Sequence, residues 1–400
     1  MAYVDEAAKR TIHLVKAIEA DKNIPDSNKK LAKKYIEYMQ ARGLNERTIN
    51  KNLYCLAIYL KAIGKTSVLK AERGEIEKAL AKIESTKYSA HTKQHVKVAI
   101  KSLYKHFLGE DLQYPKKVAW IKTGIGKSKK LLPEDILSEE EVLKLINSSQ
   151  NARNRAIIAL MFDSGIRVGE LLNMRMKDID LSDEPAHIMA NGKTGMRRIP
   201  IFFSVPYVAN YVNSIKDREP TDPMWSGIGN WTDKDKVVDY AGIRVMLKRA
   251  GKKAGIEKRI YPHLFRHSRA SYYANKLTEQ QLKSLFGWAG DSRMASTYVH
   301  LSGRDIDNAA MQANGMKPKE AETKPKLAVV ECKRCRNKNE PNAAFCSSCG
   351  APLEIQTAMR AQAETKTTRA AILDSLNDPE LQNMMVDLLA KAEKKKKEKK

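Results

Sequence analysis

With 400 residues and an apolar fraction of 42%, the chain exceeds what one core usually sustains and is expected to form more than one domain. Its net charge of +25 favours a polyanionic partner, nucleic acid first and an anionic membrane surface second. The last ten residues, seven Lys and two Glu, carry only +5 of that charge, so the excess belongs mainly to the body.

No stretch approaches the ~20 apolar residues of a membrane span. Asp5, Glu6, Lys9, Arg10 and Lys16 interrupt the first twenty residues, so these are not expected to act as a secretory signal. Of five cysteines, four lie together near the C-terminus, and Cys55 stands alone in a helical pattern as an ordinary buried thiol. That usage suits a reducing cytoplasm and a metal site better than a disulfide framework.

Residues 1–24 read as a helix with Ile12, Val15 and Ile18 as a thin apolar stripe, and nothing in them assigns a role. Residues 25–115 read as a domain of amphipathic helices. Gly43 stops the first, and Asn45 caps a second carrying Ile49, Leu53, Leu56 and Leu60 at helical spacing up to Gly64. A weaker helix covers Arg73 to Ile83. The last starts near Ser89 and places Val96, Ile100, Leu103 and Phe107 on one side. Lys93, Lys97, Lys101 and Lys105 follow strict i+4 spacing on another side, a basic ridge suited to phosphate contacts or simply to solvent. Between Asp26 and Lys117 there are twenty Lys and Arg against nine Asp and Glu, a net of +11.

Residues 116–135, rich in Lys with Gly124 and Gly126, read as a linker. Gly126-Lys127-Ser128 and Gly192-Lys193-Thr194 both imitate part of a phosphate-binding loop. Each lacks the glycine required five positions earlier, where Ile121 and His187 stand, so neither is a nucleotide site.

A second domain is expected over residues 136–312. Ser138-Glu139-Glu140-Glu141 is a capping box. An apolar helix over Arg155 to Phe162 ends at Gly165, and a new helix opens with Arg167 in its first turn. A cation there opposes the helix dipole and calls for a bound anion or a pair with Glu170. His187–Ala190 and Arg197–Phe202 read as strands around Asn191-Gly192-Lys193-Thr194-Gly195, with Lys193 at the hairpin tip. Further helices fill 203–260. Pro262-His263-Leu264-Phe265-Arg266-His267 then sets His263 and Arg266 on one helix face, and Gly287-Trp288 and Tyr298 follow. An anion clamp, a proton carrier and an attacking oxygen are the parts that phosphate-ester chemistry needs.

Four separated pieces now match one family. Ser164 to Leu171, Lys193, Pro262 to His267, and Gly287-Trp288 with Tyr298 resemble the tyrosine recombinases (the phage-integrase family), in particular archaeal integrase-like members with Trp in place of a His. The resemblance covers about Ser138 to Gln312, and 25–115 looks like the family's DNA-clamping core-binding domain. It implies a fold that is mainly α with a small antiparallel sheet. It further implies that Tyr298 attacks a phosphate to form a 3′-phosphotyrosyl link, Arg167 and Arg266 clamp the oxygens, His263 takes part in proton transfer and Lys193 protonates the leaving 5′-oxygen. Trp288 would pack against Tyr298 and donate its indole N–H. No nucleotide or catalytic metal is implied; double-stranded DNA is the substrate, and a homotetramer forms on paired sites. The enzyme would work on the nucleoid in the cytoplasm. Two alternatives stay open, a type IB topoisomerase-like relaxing enzyme and a non-catalytic DNA-binding regulator on the same scaffold.

Residues 313–330 read as a flexible linker, and 331–353 as a metal module. Cys332-Lys-Arg-Cys335 and Cys346-Ser-Ser-Cys349 give two thiolate pairs suited to one structural Zn²⁺, with a redox or iron role as the alternative. The module resembles short archaeal zinc ribbons that end in Cys-Gly-x-Pro-Leu, here Cys349 to Leu353. Within 354–400, Leu373 to Ala390 reads as an amphipathic helix able to contact a protein, followed by a disordered Lys-rich tail.

Overall fold

Two helix starts in the first part of the chain lie where short polar side chains take up free backbone N–H groups. Asn45 accepts from Thr48 N at 2.9 Å and Ser89 from Thr92 N at 3.2 Å, as their sequence positions suggest. In the computed structural model, residues 2–109, 113–124, 133–192, 195–215, 217–227, 237–274, 276–299, 310–311, 314–316 and 326–376 are described. The chain divides into two units, Met1–Lys130 and Leu131–Lys400.

The first unit holds α1 (Ala2–Ala20), α2 (Asp26–Ala41), α3 (Glu46–Ile63), α4 (Arg73–Glu84), α5 (Ala90–Leu108) and the short α6 (Lys116–Ala119). Helix α3 is its centre, burying Ile49, Leu53, Leu56, Tyr59 and Leu60 against the others. Each such aliphatic side chain contributes about 1.5–3 kcal/mol relative to exposure. Helix α1, which had no role in the sequence, packs on α3 and buries Ile18, while Ile12 stays exposed. The start of the expected 116–135 linker belongs to this core, because Val118 and Ile121 are buried in it. Lys116, Lys117 and Lys122 flank that apolar pair and hide it from a composition count; residues 125–132 lie outside the described residues.

The second unit is mostly helical around a small sheet, as expected. It comprises α7 (Glu139–Ser148), α8 (Ala152–Ser164), α9 (Val168–Leu172), β1 (Ile179–Asp180), β2 (Ala186–Gly192), β3 (Gly195–Ile201), α10 (Val205–Ser214), α11 (Tyr240–Lys253), α12 (Pro262–Ala274), α13 (Glu279–Phe286) and α14 (Met294–Val299). Strands β4 (Val330–Glu331) and β5 (Lys338–Asn339) and helix α15 (Ile355–Leu376) follow. The capping box at Ser138 and Glu141 is present. Helix α8 is buried along most of its length and forms the middle of the core.

The main sheet is antiparallel in the order β1-β2-β3. Asn191 pairs with Met196 and Gly192 with Gly195, so Asn191-Gly192 ends strand β2 instead of forming the turn. Facing pairs Ile188–Ile199 and Ala190–Arg197 set this register through the buried face. Lys193, at the expected tip, lies outside the described residues.

A buried polar hub ties α8 to its neighbours. Asp163 accepts from Phe202 N, Ser204 N and Ser204 Oγ, and pairs with Arg269 of α12 at 3.0 Å. The four cysteines lie in two tight turns of similar build. Arg336 N donates to Cys332 O and Gly350 N to Cys346 O, and both residues have positive φ. This small module is anchored on the rest of the unit. Leu327, expected within a flexible linker, is buried in the main core with Val329 packed beside it. Glu340 pairs with Arg155, whose guanidinium lies over Tyr207, and Lys338 pairs with Glu184 at 2.7 Å.

Candidate active site

Two helix C-termini organise the site. Helices α8 and α13 both end in a left-handed glycine, Gly165 at φ 58° and Gly287 at φ 58°. A side chain would be strained at either position, and a Cβ at Gly165 would meet the Phe286 ring at 2.5 Å. The terminal carbonyls carry the negative end of each helix dipole and face guanidinium groups. Arg266 donates to Gly165 O at 2.9 Å and Phe286 O at 2.5 Å, and Arg167 donates to Gly287 O at 2.7 Å.

The second support is Glu170, one of the two partners offered for Arg167 by the sequence. It accepts from Arg167 Nη1 at 2.8 Å and Arg167 N at 3.1 Å. It also takes both Nη groups of Arg197, at 2.9 and 2.6 Å. Burial alone would raise this carboxyl, but the Arg197 and Arg167 hydrogen bonds overcome it and bring it down to about 2. Arg197 was missed in the sequence. Its signal was strand alternation: Arg197, Ile199 and Ile201 share a face, and an inward Arg requires a carboxylate.

Three guanidiniums against one carboxylate leave a local net charge of +2. Burial, then the charges of Arg167 and Arg197, push Arg266 down to about 9, and it remains charged at neutral pH. Arg266 is almost wholly buried, whereas the Arg167 side chain is 33% exposed. Planar forks of this kind match the geometry of phosphate oxygens.

An aromatic stack runs alongside the clamp. Phe286, Trp288 and Tyr298 stack in series, with centroids 5.1 and 5.5 Å apart and interplanar angles of 17° and 2°. Arg266 lies over Phe286 and Trp288 at 5.0 and 5.7 Å. Tyr298 is only 3% exposed, and burial raises its phenol to about 12 against the opposing charge of Arg266.

The imidazole that meets the Tyr298 hydroxyl is that of His267, whose Nδ1 is 2.5 Å from Oη. His263 lies one turn earlier on α12, with its ring 4.8 Å from that of His267 at 83°. His267 is pushed down to about 4 by burial first, then by His263 and Arg266. His263 keeps an exposed side chain, yet the protein atoms around it and then the Arg266 and Arg167 charges lower its pKa too. His267 adjoins Arg266 in the sequence, but its contact spans 31 positions and left no local signal.

Of the expected set, Arg167, His263, Arg266, Trp288 and Tyr298 are therefore brought together, and Lys193 falls outside the described residues. The four ridge lysines of α5 are engaged within their own unit. Lys97 pairs with Glu84 at 2.7 Å, and Lys93 donates to Glu84 O at 2.5 Å. Lys101 donates to Ile121 O at 3.1 Å, and Lys101 and Lys105 both lie over Tyr114.

The Sγ atoms of Cys332, Cys335, Cys346 and Cys349 all lie within 4.8 Å of one another. Cys332–Cys349 and Cys335–Cys346 are separated by 3.7 and 3.5 Å. Ligand bonds of ~2.3 Å in a tetrahedron put sulfurs roughly 3.8 Å apart, so the cluster fits one metal ion. Among the described residues no helix is long and apolar enough to cross a membrane.

Comparison with known proteins agrees with this geometry. The model of the phage integrase family matches residues 135–304, and that of the phage integrase N-terminal SAM-like domain matches 31–114. Together they span more than half of the chain, which belongs to the phage integrase family, the tyrosine recombinases. Tyrosine recombinase XerA of Pyrococcus horikoshii is 28% identical over 275 residues, 68% of this chain and 89% of the relative. XerA of Pyrococcus furiosus is 27% identical over 288 residues, 70% of this chain and 92% of the relative. Among solved structures, a lambda integrase dimer bound to a core site matches with a TM-score of 0.55 at 18% identity, covering 69% of this chain and 77% of that one. XerH recombinase bound to its palindromic difH substrate in a post-cleavage complex matches with a TM-score of 0.53 at 18% identity, covering 76% and 95%.

Proposed function

We propose that the protein is a site-specific DNA recombinase that cuts and rejoins strands through a 3′-phosphotyrosyl intermediate. The observation that carries this reading is the convergence of Arg167, Arg266, Trp288 and Tyr298 on two glycine-capped helix ends. A scissile phosphate held by Arg167 and Arg266 would supply the anion that this cluster of positive charge lacks. Tyr298 Oη attacks phosphorus, the bond to the 5′-oxygen breaks, and the phosphate stays joined to the tyrosine. His263 takes part in removing the phenol proton, and Lys193 from the hairpin protonates the leaving oxygen. Trp288 cannot shuttle a proton and serves as packing and as an N–H donor. The ester conserves the bond energy, so a second 5′-hydroxyl reverses the step without a nucleotide cofactor.

Double-stranded DNA is the partner, and the +11 charge over Asp26 to Lys117 supports the first unit as the clamp. Lys93, Lys97, Lys101 and Lys105 keep part of their surface exposed and stand as its candidate phosphate contacts. A homotetramer on paired sites is proposed by likeness to lambda integrase, one of whose solved structures is a tetramer bound to a Holliday junction. The protein would act on the nucleoid. Cys332, Cys335, Cys346 and Cys349 would hold a structural Zn²⁺, which supplies cross-linking to a module too small for a core of its own.

The test begins by selecting the duplex bound most tightly from a random-sequence pool. Two copies of that site in one plasmid should yield deletion or inversion products that join the two sites. Relaxation of supercoiled plasmid lacking the site would replace this reading with a topoisomerase-like one. Tight binding with neither product would leave a regulator.

A further inference from the structure

A phenol that must attack phosphorus needs its oxygen within ~3 Å of that atom, and Tyr298 at 3% exposure offers no room for a DNA phosphate. Among the described residues, three contacts keep it there. Its ring lies flat against Trp288, it packs with Ala270, Ala274, Leu282, Phe286 and Ala295, and its hydroxyl meets His267 Nδ1. The first two are apolar and hold the ring. Among the described residues, the imidazole is the group that hydrogen-bonds the oxygen that reacts.

We propose that His267 is a positioning residue that stows the Tyr298 hydroxyl in the DNA-free protein and must let go of it before strand cleavage. The inference rests on the reading of Tyr298 as nucleophile and assigns His267 a role distinct from that of His263. A neutral imidazole with its proton on Nε2 leaves Nδ1 to accept from the phenol, which keeps Tyr298 protonated and sequestered. Helix α14, which carries Tyr298, has only six residues and is held to α12 and α13 by this small cluster. Release therefore requires breaking one hydrogen bond, one stack and the packing of this small cluster, which is separate from the main core around α8.

The experiment measures nitration of Tyr298 by tetranitromethane without DNA, read by peptide mass spectrometry with Tyr298→Phe as the blank. Wild type should react slowly and His267→Ala several-fold faster. His267→Asn, whose side-chain oxygen can stand in for Nδ1 as acceptor, should return to the wild-type rate. In parallel, covalent adduct formation is followed on a nicked duplex carrying the selected site. Loss of an ordinary hydrogen bond should speed it about fivefold in His267→Ala, with His267→Asn near wild type. Equal nitration of His267→Ala and wild type overturns the proposal. Adduct formation that falls tenfold or more in both variants overturns it as well, because His267 would then be a proton acceptor in the reaction. If wild type forms no adduct, the recombinase reading fails while the nitration result still decides the His267 contact. Thermal melting of both variants shows whether a nitration increase reflects unfolding; an increase that tracks a lost melting transition counts against the proposal.

Discussion

Arg197 holds Glu170 with two hydrogen bonds, at 2.9 and 2.6 Å, and Glu170 in turn holds Arg167. The clamp arginine is thus aimed by a second arginine that points inward from β3. Replacing Arg197 by Gln should leave Glu170 buried with one partner fewer and Arg167 less firmly aimed. Removing one member of a buried pair costs about 3–5 kcal/mol. A fall of that size in unfolding free energy is expected by urea denaturation, together with at least tenfold slower adduct formation. Glu170→Gln should show the same direction on both measurements.

Acid should destabilise the second unit in two windows. His267 has a folded pKa of about 4 against an ordinary 6.5, so the unfolded chain binds the extra proton. Its contribution is complete above pH 6.5 and is lost as pH falls toward 4. Glu170 is depressed from 4.5 to about 2, so its contribution is complete above 4.5 and is lost as pH falls toward 2. Each is on the order of 3 kcal/mol. Stability measured against pH should lose the upper slope in His267→Asn and the lower slope in Glu170→Gln.

Asp163→Ala should be among the most damaging substitutions outside the site. It takes the paired carboxylate from buried Arg269 and removes the acceptor for Phe202 N, Ser204 N and Ser204 Oγ. A loss of about 3–5 kcal/mol is expected. Calorimetry should show the second unit melting earlier while the transition of the first unit stays in place.

Metal removal should reach beyond the cysteine module. Leu327 sits in the main core, and Glu340 faces Arg155 over Tyr207. A chelator that unfolds the module would free these contacts and lower the melting temperature of the second unit by several degrees, restored by added Zn²⁺. Glu340→Ala should reproduce part of the shift, about 1–3 kcal/mol, with the metal still bound.

Much of the site was legible because its parts are local or chemically distinctive. Arg167 and Glu170 are three apart, and of the two partners offered for Arg167, a bound anion or Glu170, the pair with Glu170 is present. The packing of Trp288 on Tyr298 is likewise present. Helix caps at Asn45, Ser89 and Ser138 act within four residues and could be read directly. What escaped depends on distant elements. His267 and Tyr298 meet across two helices, and Asp163 and Arg269 are 106 positions apart. Leu327 lies among Lys, Pro and Glu residues that resemble a linker, and only the core it enters gives it meaning. The hairpin loop was read too long, because Asn191-Gly192 and Gly195-Met196 extend the two strands and the buried face sets their register.

The most direct measurement of the central claim uses a nicked suicide duplex carrying the selected site, with the covalent complex digested and the DNA-linked peptide sequenced. Wild type is expected to trap DNA through a 3′-phosphate on Tyr298, and Tyr298→Phe to trap none. A DNA-linked peptide that lacks Tyr298, or an undiminished adduct in Tyr298→Phe, would contradict the account.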